Sequence, residues 1–225
     1  MRLSEAGQEA CLGCGQGCKE PRRQARRPAP LAALGNPMGY YERRIPHWHP
    51  DGAAIFATWR LHGSLPHSPS GWAELPAGKA FVAMDRELAS VATGPSWLKD
   101  ERVARAVADA LRFGEESLHL YRLHAWVIMS NHVHVLIEPD AELPRITRSI
   151  KGFSARRANE ILGRTGEPFW QDESFDHWVR DPKEFGKIVD YIEFNPVAAG
   201  LVERSEDWPW SSAHAEPGQA RRPGT

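Results

Sequence analysis

The segment AWVIMSNHVHVLI, Ala125 to Ile137, decides how this chain is read. It holds two apolar runs, the second rich in Val and Ile, parted only by Ser130-Asn131 and their neighbours. Such runs favour the pleated, half-buried surface of a sheet. Leu118 to Met129 reads as one strand and His132 to Glu138 as the next, and so short a connection makes them an antiparallel hairpin. Side chains alternate along a strand, so His132 and His134 share one face while Val133 takes the other. Two imidazoles on one face can share a divalent metal. The plainer reading is a pair of surface-facing histidines on a half-buried strand. On either reading His132→Ala is expected to leave the fold intact.

Working outward, the spacing gives a β-α-β-β-α-β-α order. Ala54 to Trp59 is a short apolar run between Asp51-Gly52 and Gly63, and reads as a strand. A Pro/Gly/Ser-rich loop follows from about Ser64 to Lys79. A helix starts near Asp100, with Val103, Val107, Ala110 and Leu111 at helical spacing and Ser96 or Asp100 as its cap. A second helix covers Leu143 to Leu162, and Trp170 to Val179 is a further strand candidate. Asp181-Pro182 opens a last helix, with Asp as N-cap and Pro in the first helical position. This helix is expected to stop near Asn195, because Pro196 disfavours helix at the residue before it. The pattern predicts an α+β domain with helices packed on one face of an antiparallel sheet.

Composition bounds what such a domain can do. The chain has 225 residues, a net charge of −1 and 41% hydrophobic residues. That is ordinary for a globular protein and suits one domain, read here as residues 40–215. No apolar run approaches the roughly 18 residues of a membrane span. The near-zero charge excludes gripping nucleic acid by bulk charge alone, leaving local patches and direct contacts. Residues 1–39, rich in Gly, Pro and Arg, and residues 216–225 read as disordered tails. Cys11, Cys14 and Cys18 are spaced somewhat like a zinc site, but no fourth ligand lies nearby, so an incidental tail is the preferred reading. Without a secretory signal pattern, the chain is expected in the reducing cytoplasm.

Two further features bear on chemistry. The last helix places Tyr191 and Asn195 one turn apart, at the flank of a stripe formed by Phe185, Ile188, Val189 and Ile192. Lys187 shares their row. The Asn195 amide is a candidate third ligand beside the histidines. Separately, the helix from Leu143 carries Arg145, Arg148, Lys151, Arg156 and Arg157, with Arg164 just beyond and only Glu160 opposing them. That is a candidate phosphate-contacting surface. A tyrosine hydroxyl is a weak nucleophile at neutral pH, since its pKa is about 10. A metal that polarises the electrophile makes it useful, and Tyr191 could then attack a phosphodiester held at the two imidazoles.

The chain resembles the single-tyrosine transposases of the HUH superfamily, and among them the REP-associated branch. The matching pieces are RRIPHWHPDGAAIFATWRLHGSLP from Arg43, AWVIMSNHVHVLI from Ala125, PFWQDESFDHWVRD from Pro168, YIEFNPVAAGLV from Tyr191 and DWPWSSAH from Asp207. The resemblance implies a ferredoxin-like fold, Mg2+ or Mn2+ as cofactor, and single-stranded or hairpin DNA as partner. It puts the H-x-H pair on His132 and His134, the nucleophile on Tyr191 and the polar helix ligand on Asn195. It implies cleavage of one strand at a hairpin-forming element end through a 5′-phosphotyrosine, with later strand transfer. Insertion-sequence relatives act as dimers whereas REP-associated ones are described as domesticated, so the resemblance leaves monomer or homodimer open. Two other readings compete. A non-catalytic hairpin-binding regulator would use the basic helix alone. A zinc hydrolase would need more ligands than Glu138, the one acid near the pair.

Overall fold

A computed structural model describes residues 40–42, 46–48, 52–65, 77–90 and 94–214 of the chain. The two tails, with the three cysteines, lie outside the described residues. A short hairpin pairs β1 (Tyr40–Glu42) with β2 (Pro46–Trp48). The main sheet has four antiparallel strands in the order β4 (Tyr121–Ile128), β5 (His132–Pro139), β3 (Ile55–Arg60), β6 (Phe175–Trp178). In chain order this is the ferredoxin-like arrangement, as expected. The predicted hairpin is β4–β5, with Ile128 opposite Val133 and Trp126 opposite Val135.

Alternation along β3 and β5 divides the core into two layers. Ile55, Ala57 and Trp59 share one face with Val133, Val135 and Ile137. Against them pack Val103, Val107 and Leu111 of α2 (Glu101–Glu116) and Ile146, Ile150 and Ala158 of α3 (Leu143–Leu162). The other face carries Phe56, Val127 and Leu136. It is covered by Phe81 of α1 (Ala77–Ser90) and by Ile192, with Phe185, Ile188 and Val189, of α4 (Pro182–Ala198). Helices on one face therefore describe only half of the arrangement. The central strand β5 is buried on both sides, which is why it reads as a continuous apolar run broken only by its two histidines.

Three local expectations are corrected. Helix α1 falls where the sequence suggested a loop followed by unassigned chain. Its inward stripe is Phe81, Asp85 and Leu88, and an acid in the middle of that stripe hides the amphipathic period. The last strand is shorter than Trp170–Val179: Trp170 makes only an isolated bridge to Leu61, and the paired ladder is confined to Phe175–Trp178. Helix α4 does not stop at Asn195 but runs on through Pro196 to Ala198. So near the helix end the proline removes a single N–H, and the last turn is closed by Ala199 N–H on Asn195 O and Leu201 N–H on Pro196 O.

The ends of α4 are fixed as the sequence suggested at one end and by an unforeseen contact at the other. Asp181 accepts the Glu184 N–H at 2.9 Å, and Glu184 reaches back to the Arg180 N–H and to His177 of β6. After the helix, the DWPWSS segment lies along the free edge of β4. Trp208 Nε1–H donates to Ile128 O, Ile128 N–H to Trp210 O, and Ser212 N–H to Trp126 O. This pairing shields an otherwise open sheet edge and anchors α4 beside the strand that precedes the histidines.

Candidate metal and nucleophile centre

The face of the sheet under α1 and α4 carries the predicted residues. His132 and His134 point the same way from β5, but they are not surface groups: they are 1% and 0% exposed. The expectation of surface-facing imidazoles is corrected here, because α1 and α4 close over that face. A buried imidazole must have its polar atoms satisfied, and each ring has one nitrogen anchored. His134 Nδ1 meets Thr58 Oγ1 of the adjacent strand at 2.7 Å. His132 Nδ1 meets Asn131 Oδ1 at 2.7 Å.

The second contact fixes a tautomer. Asn131 Nδ2 donates to Leu88 O at 2.9 Å, which orients the amide and leaves its oxygen toward His132. An oxygen only accepts, so His132 carries its proton on Nδ1 and presents a lone pair at Nε2. That Nε2 lies 3.4 Å from Asp85 Oδ1 on α1, and His134 Nε2 lies 3.1 Å from the same oxygen. Among the described residues neither His132 Nε2 nor Asp85 Oδ1 has a hydrogen-bond partner, although both are buried. Two acceptors facing each other without a proton between them is a costly arrangement. A cation between them removes the cost. Asp85, His132 and His134 each offer a donor atom within 4.8 Å of the others, and an imidazole pair with a carboxylate fits a divalent ion.

The electrostatics agree with that fit. Burial, then the charge of His134, push the His132 imidazole down to about 3 despite the opposing pull of Asp85. It stays neutral and able to ligate. Burial raises the Asp85 carboxyl, but the close approach of His134, with His132 and the Tyr191 hydroxyl, outweighs it and holds the group well below the usual carboxylate range.

Tyr191 and Asn195 arrive from α4 as predicted, on the side of that helix facing the sheet. The Tyr191 hydroxyl donates a short hydrogen bond to Asp85 Oδ2. Its ring stands edge-on to Phe56 and Phe81 and has its centroid 5.7 Å from that of His134. Burial, with the charge and hydrogen bond of Asp85, raises the phenol well above its ordinary value. Asn195, buried, sets its amide nitrogen 3.4 Å from both His134 Nε2 and Asp85 Oδ2. The nitrogen, not the expected oxygen, faces the centre.

Other predicted residues lie elsewhere. Arg145, Arg148, Lys151, Arg156 and Arg157 are on α3, behind the sheet from the histidines. Lys151 Nζ is bound to the carbonyls of Gln171 and Asp172, and Arg157 pairs with Glu160 at 2.8 Å. Glu138 pairs with His124 and Arg122 at the far end of β5, and Lys187 is exposed. Asp85 was missed altogether. The available signal was an acid on the inward stripe of a helix, where a carboxylate belongs only with a partner.

Residues 96–195 match the family model described as Transposase IS200 like. This stretch is similar to the IS200-like transposases. It holds His132, His134, Tyr191 and Asn195, and it begins after α1, so Asp85 falls outside it. The chain is also related to curated REP-associated tyrosine transposases. One, from Escherichia coli K12, is 31% identical over 99 residues, covering 43% of this chain and 56% of that protein. Another, from Haemophilus influenzae and provisionally given the same name, is 45% identical over 100 residues, covering 40% and 57%. The matches thus span little more than half the length of these relatives. A solved structure of a REP-associated tyrosine transposase bound to a REP hairpin superimposes with a TM-score of 0.48 at 22% identity, over 77% of this chain and 83% of that one. The family resemblance carried by the motifs is borne out. Among the described residues, no helix is long and apolar enough to cross a membrane.

Proposed function

We propose that this IS200-like domain cuts and rejoins single-stranded DNA at hairpin-forming ends, with Tyr191 as the nucleophile. The observation that carries the reading is the meeting of one tyrosine hydroxyl with two buried imidazoles whose free nitrogens converge. A nucleophile, its orienting partners and a cation site within hydrogen-bond reach are what phosphoryl transfer requires.

His132 and His134 would hold a divalent ion, Mg2+ or Mn2+, with Asn195 beside them. Bound there, the ion supplies Lewis-acid polarisation of the phosphate oxygens. The protein does the rest. Phe56 and Phe81 hold the Tyr191 ring at a fixed angle. The phenol oxygen attacks phosphorus in line, the bond from phosphorus to the 3′-oxygen breaks, and the proton lost by the phenol is matched by the one the departing 3′-oxygen takes up. The products are a 5′-phosphotyrosine and a free 3′-OH. Attack of a 3′-OH on the phosphotyrosine reverses the step and joins new ends, so the bond energy is conserved. The exposed Arg145, Arg148 and Arg156 of α3 are assigned contacts with DNA flanking the cut, since the sheet separates them from the reacting phosphate. Such a protein acts where the cell's DNA is, in the cytoplasm with the nucleoid.

The test uses purified full-length chain and oligonucleotides of the palindromes flanking its own gene. Cleavage with Mn2+ or Mg2+, lost with EDTA and in His134→Ala, supports the reading. Hairpin binding that survives EDTA, with no cleavage under either metal, would make the protein a regulatory binder instead.

A further inference from the structure

We infer that Asp85, carried on α1 outside the IS200-like segment, is the third protein ligand of the metal and at the same time the group that holds the Tyr191 hydroxyl. The inference rests on the reading just given and divides its labour differently, because the resemblance leads one to expect Asn195 in the ligand position.

Asp85 is 7% exposed. Its two oxygens face different partners. Oδ1 looks at His132 Nε2 and His134 Nε2, at 3.4 and 3.1 Å, and has no hydrogen-bond partner among the described residues. Oδ2 takes the Tyr191 hydroxyl and the Asn195 amide N–H. One carboxylate therefore spans the ion site and the nucleophile. Asn195 presents a donor nitrogen to that carboxylate, which orients it, and a donor nitrogen does not ligate a cation. Asn195 is a positioning residue in this arrangement.

The backbone supports the same assignment. Leu88, one turn after Asp85, lends its carbonyl to Asn131 Nδ2, and Asn131 Oδ1 fixes the His132 ring. The helix bearing the carboxylate and the strand bearing the imidazoles are thus pinned to each other through a single amide. Burying a carboxylate in the stripe of α1 is costly without a compensating cation. Leu or Met at that position would pack the face more cheaply. A ligand set of two imidazoles and one carboxylate also has a chemical preference. Mg2+ favours all-oxygen, largely hydrated sites, whereas first-row transition ions accept imidazole readily. The site should take Mn2+ in preference to Mg2+.

Titration calorimetry on the full chain without DNA tests this. The wild type should bind one Mn2+, at least about tenfold tighter than Mg2+. Asp85→Asn keeps the shape and removes the charge, and should weaken Mn2+ binding by about tenfold to a hundredfold. Glu138→Gln, on the strand of the histidines but outside the cluster, should change it by less than about twofold. His132→Ala reports on the underlying reading. If it loses binding while Asp85→Asn keeps wild-type affinity, the role of Asp85 is overturned and the metal reading stands. If both bind as the wild type does, the metal reading itself fails. Should Asp85→Asn not fold, anomalous scattering from Mn2+ in crystals of the wild type decides. A peak in bonding distance of Asp85 Oδ1 and both Nε2 atoms is expected, and a peak bound by the Asn195 amide oxygen without Asp85 would overturn the inference.

Discussion

Replacing Asn131 by alanine tests the way the centre is assembled. The side chain is 4% exposed and makes two buried hydrogen bonds, one to Leu88 O at 2.9 Å and one to His132 Nδ1 at 2.7 Å. Alanine leaves a carbonyl and an imidazole N–H unsatisfied at the joint between α1 and β5. Each orphaned group costs about 1–3 kcal/mol, partly relieved where water enters the space. The expected total is about 2–4 kcal/mol. For a domain of this size that lowers the melting temperature by roughly 5–15 °C. The second effect is specific to the site. With its outer partner gone, the His132 ring is free to turn and to change tautomer, and loss of such a partner typically lowers metal affinity about tenfold to a hundredfold. Urea unfolding followed by circular dichroism reads the first effect, and Mn2+ calorimetry at a temperature where the variant is folded reads the second. A folded Asn131→Ala protein that binds Mn2+ within about twofold of wild type would refute the argument that this amide sets the tautomer.

Two other outcomes follow from the same structure. A Cβ at Gly114 would collide with the Tyr121 hydroxyl, which is held on Leu111 O at 2.7 Å; Gly114→Ala should destabilise by about 1–3 kcal/mol, and an unchanged urea midpoint would contradict that packing. Metal-free protein should lose stability on acidification: His132, folded, protonates only near pH 3 against an ordinary 6.5, so below about pH 6.5 the unfolded chain binds more protons and is favoured. Asp85, held below its ordinary range, adds loss of the same sign below its unfolded value near 3.8. The urea midpoint of EDTA-treated protein should fall between pH 7.5 and 5 and fall less in His132→Gln; equal slopes for both proteins would show that His132 is not the group responsible.

The hairpin was legible because β4 and β5 are apolar and aromatic runs with almost nothing between them, and because alternation alone puts His132 and His134 together. The start of α4 was legible in Asp181-Pro182, a cap and a first-turn residue whose roles are local. Its end was not, since whether Pro196 stops a helix depends on whether other bonds close the last turn. Tyr191 and Asn195 were found because helical spacing holds wherever the helix packs. Asp85 was invisible for a different reason. Its meaning depends on which strand α1 covers, a long-range fact that no local period encodes, and its charge made the segment look less like a buried helix. The burial of the histidines escaped notice for the same cause: the elements that cover them are distant in the chain. The run of basic residues on α3 is plain in the sequence, yet its separation from the histidines by the sheet is a matter of topology.

The most direct measurement is mass spectrometry of the protein after reaction with a single-stranded hairpin oligonucleotide and Mn2+. The account predicts a covalent adduct in which the peptide containing Tyr191 carries a 5′-phosphate of the DNA, absent in Tyr191→Phe and absent with EDTA. An adduct on another residue, or one that persists in Tyr191→Phe, would contradict it.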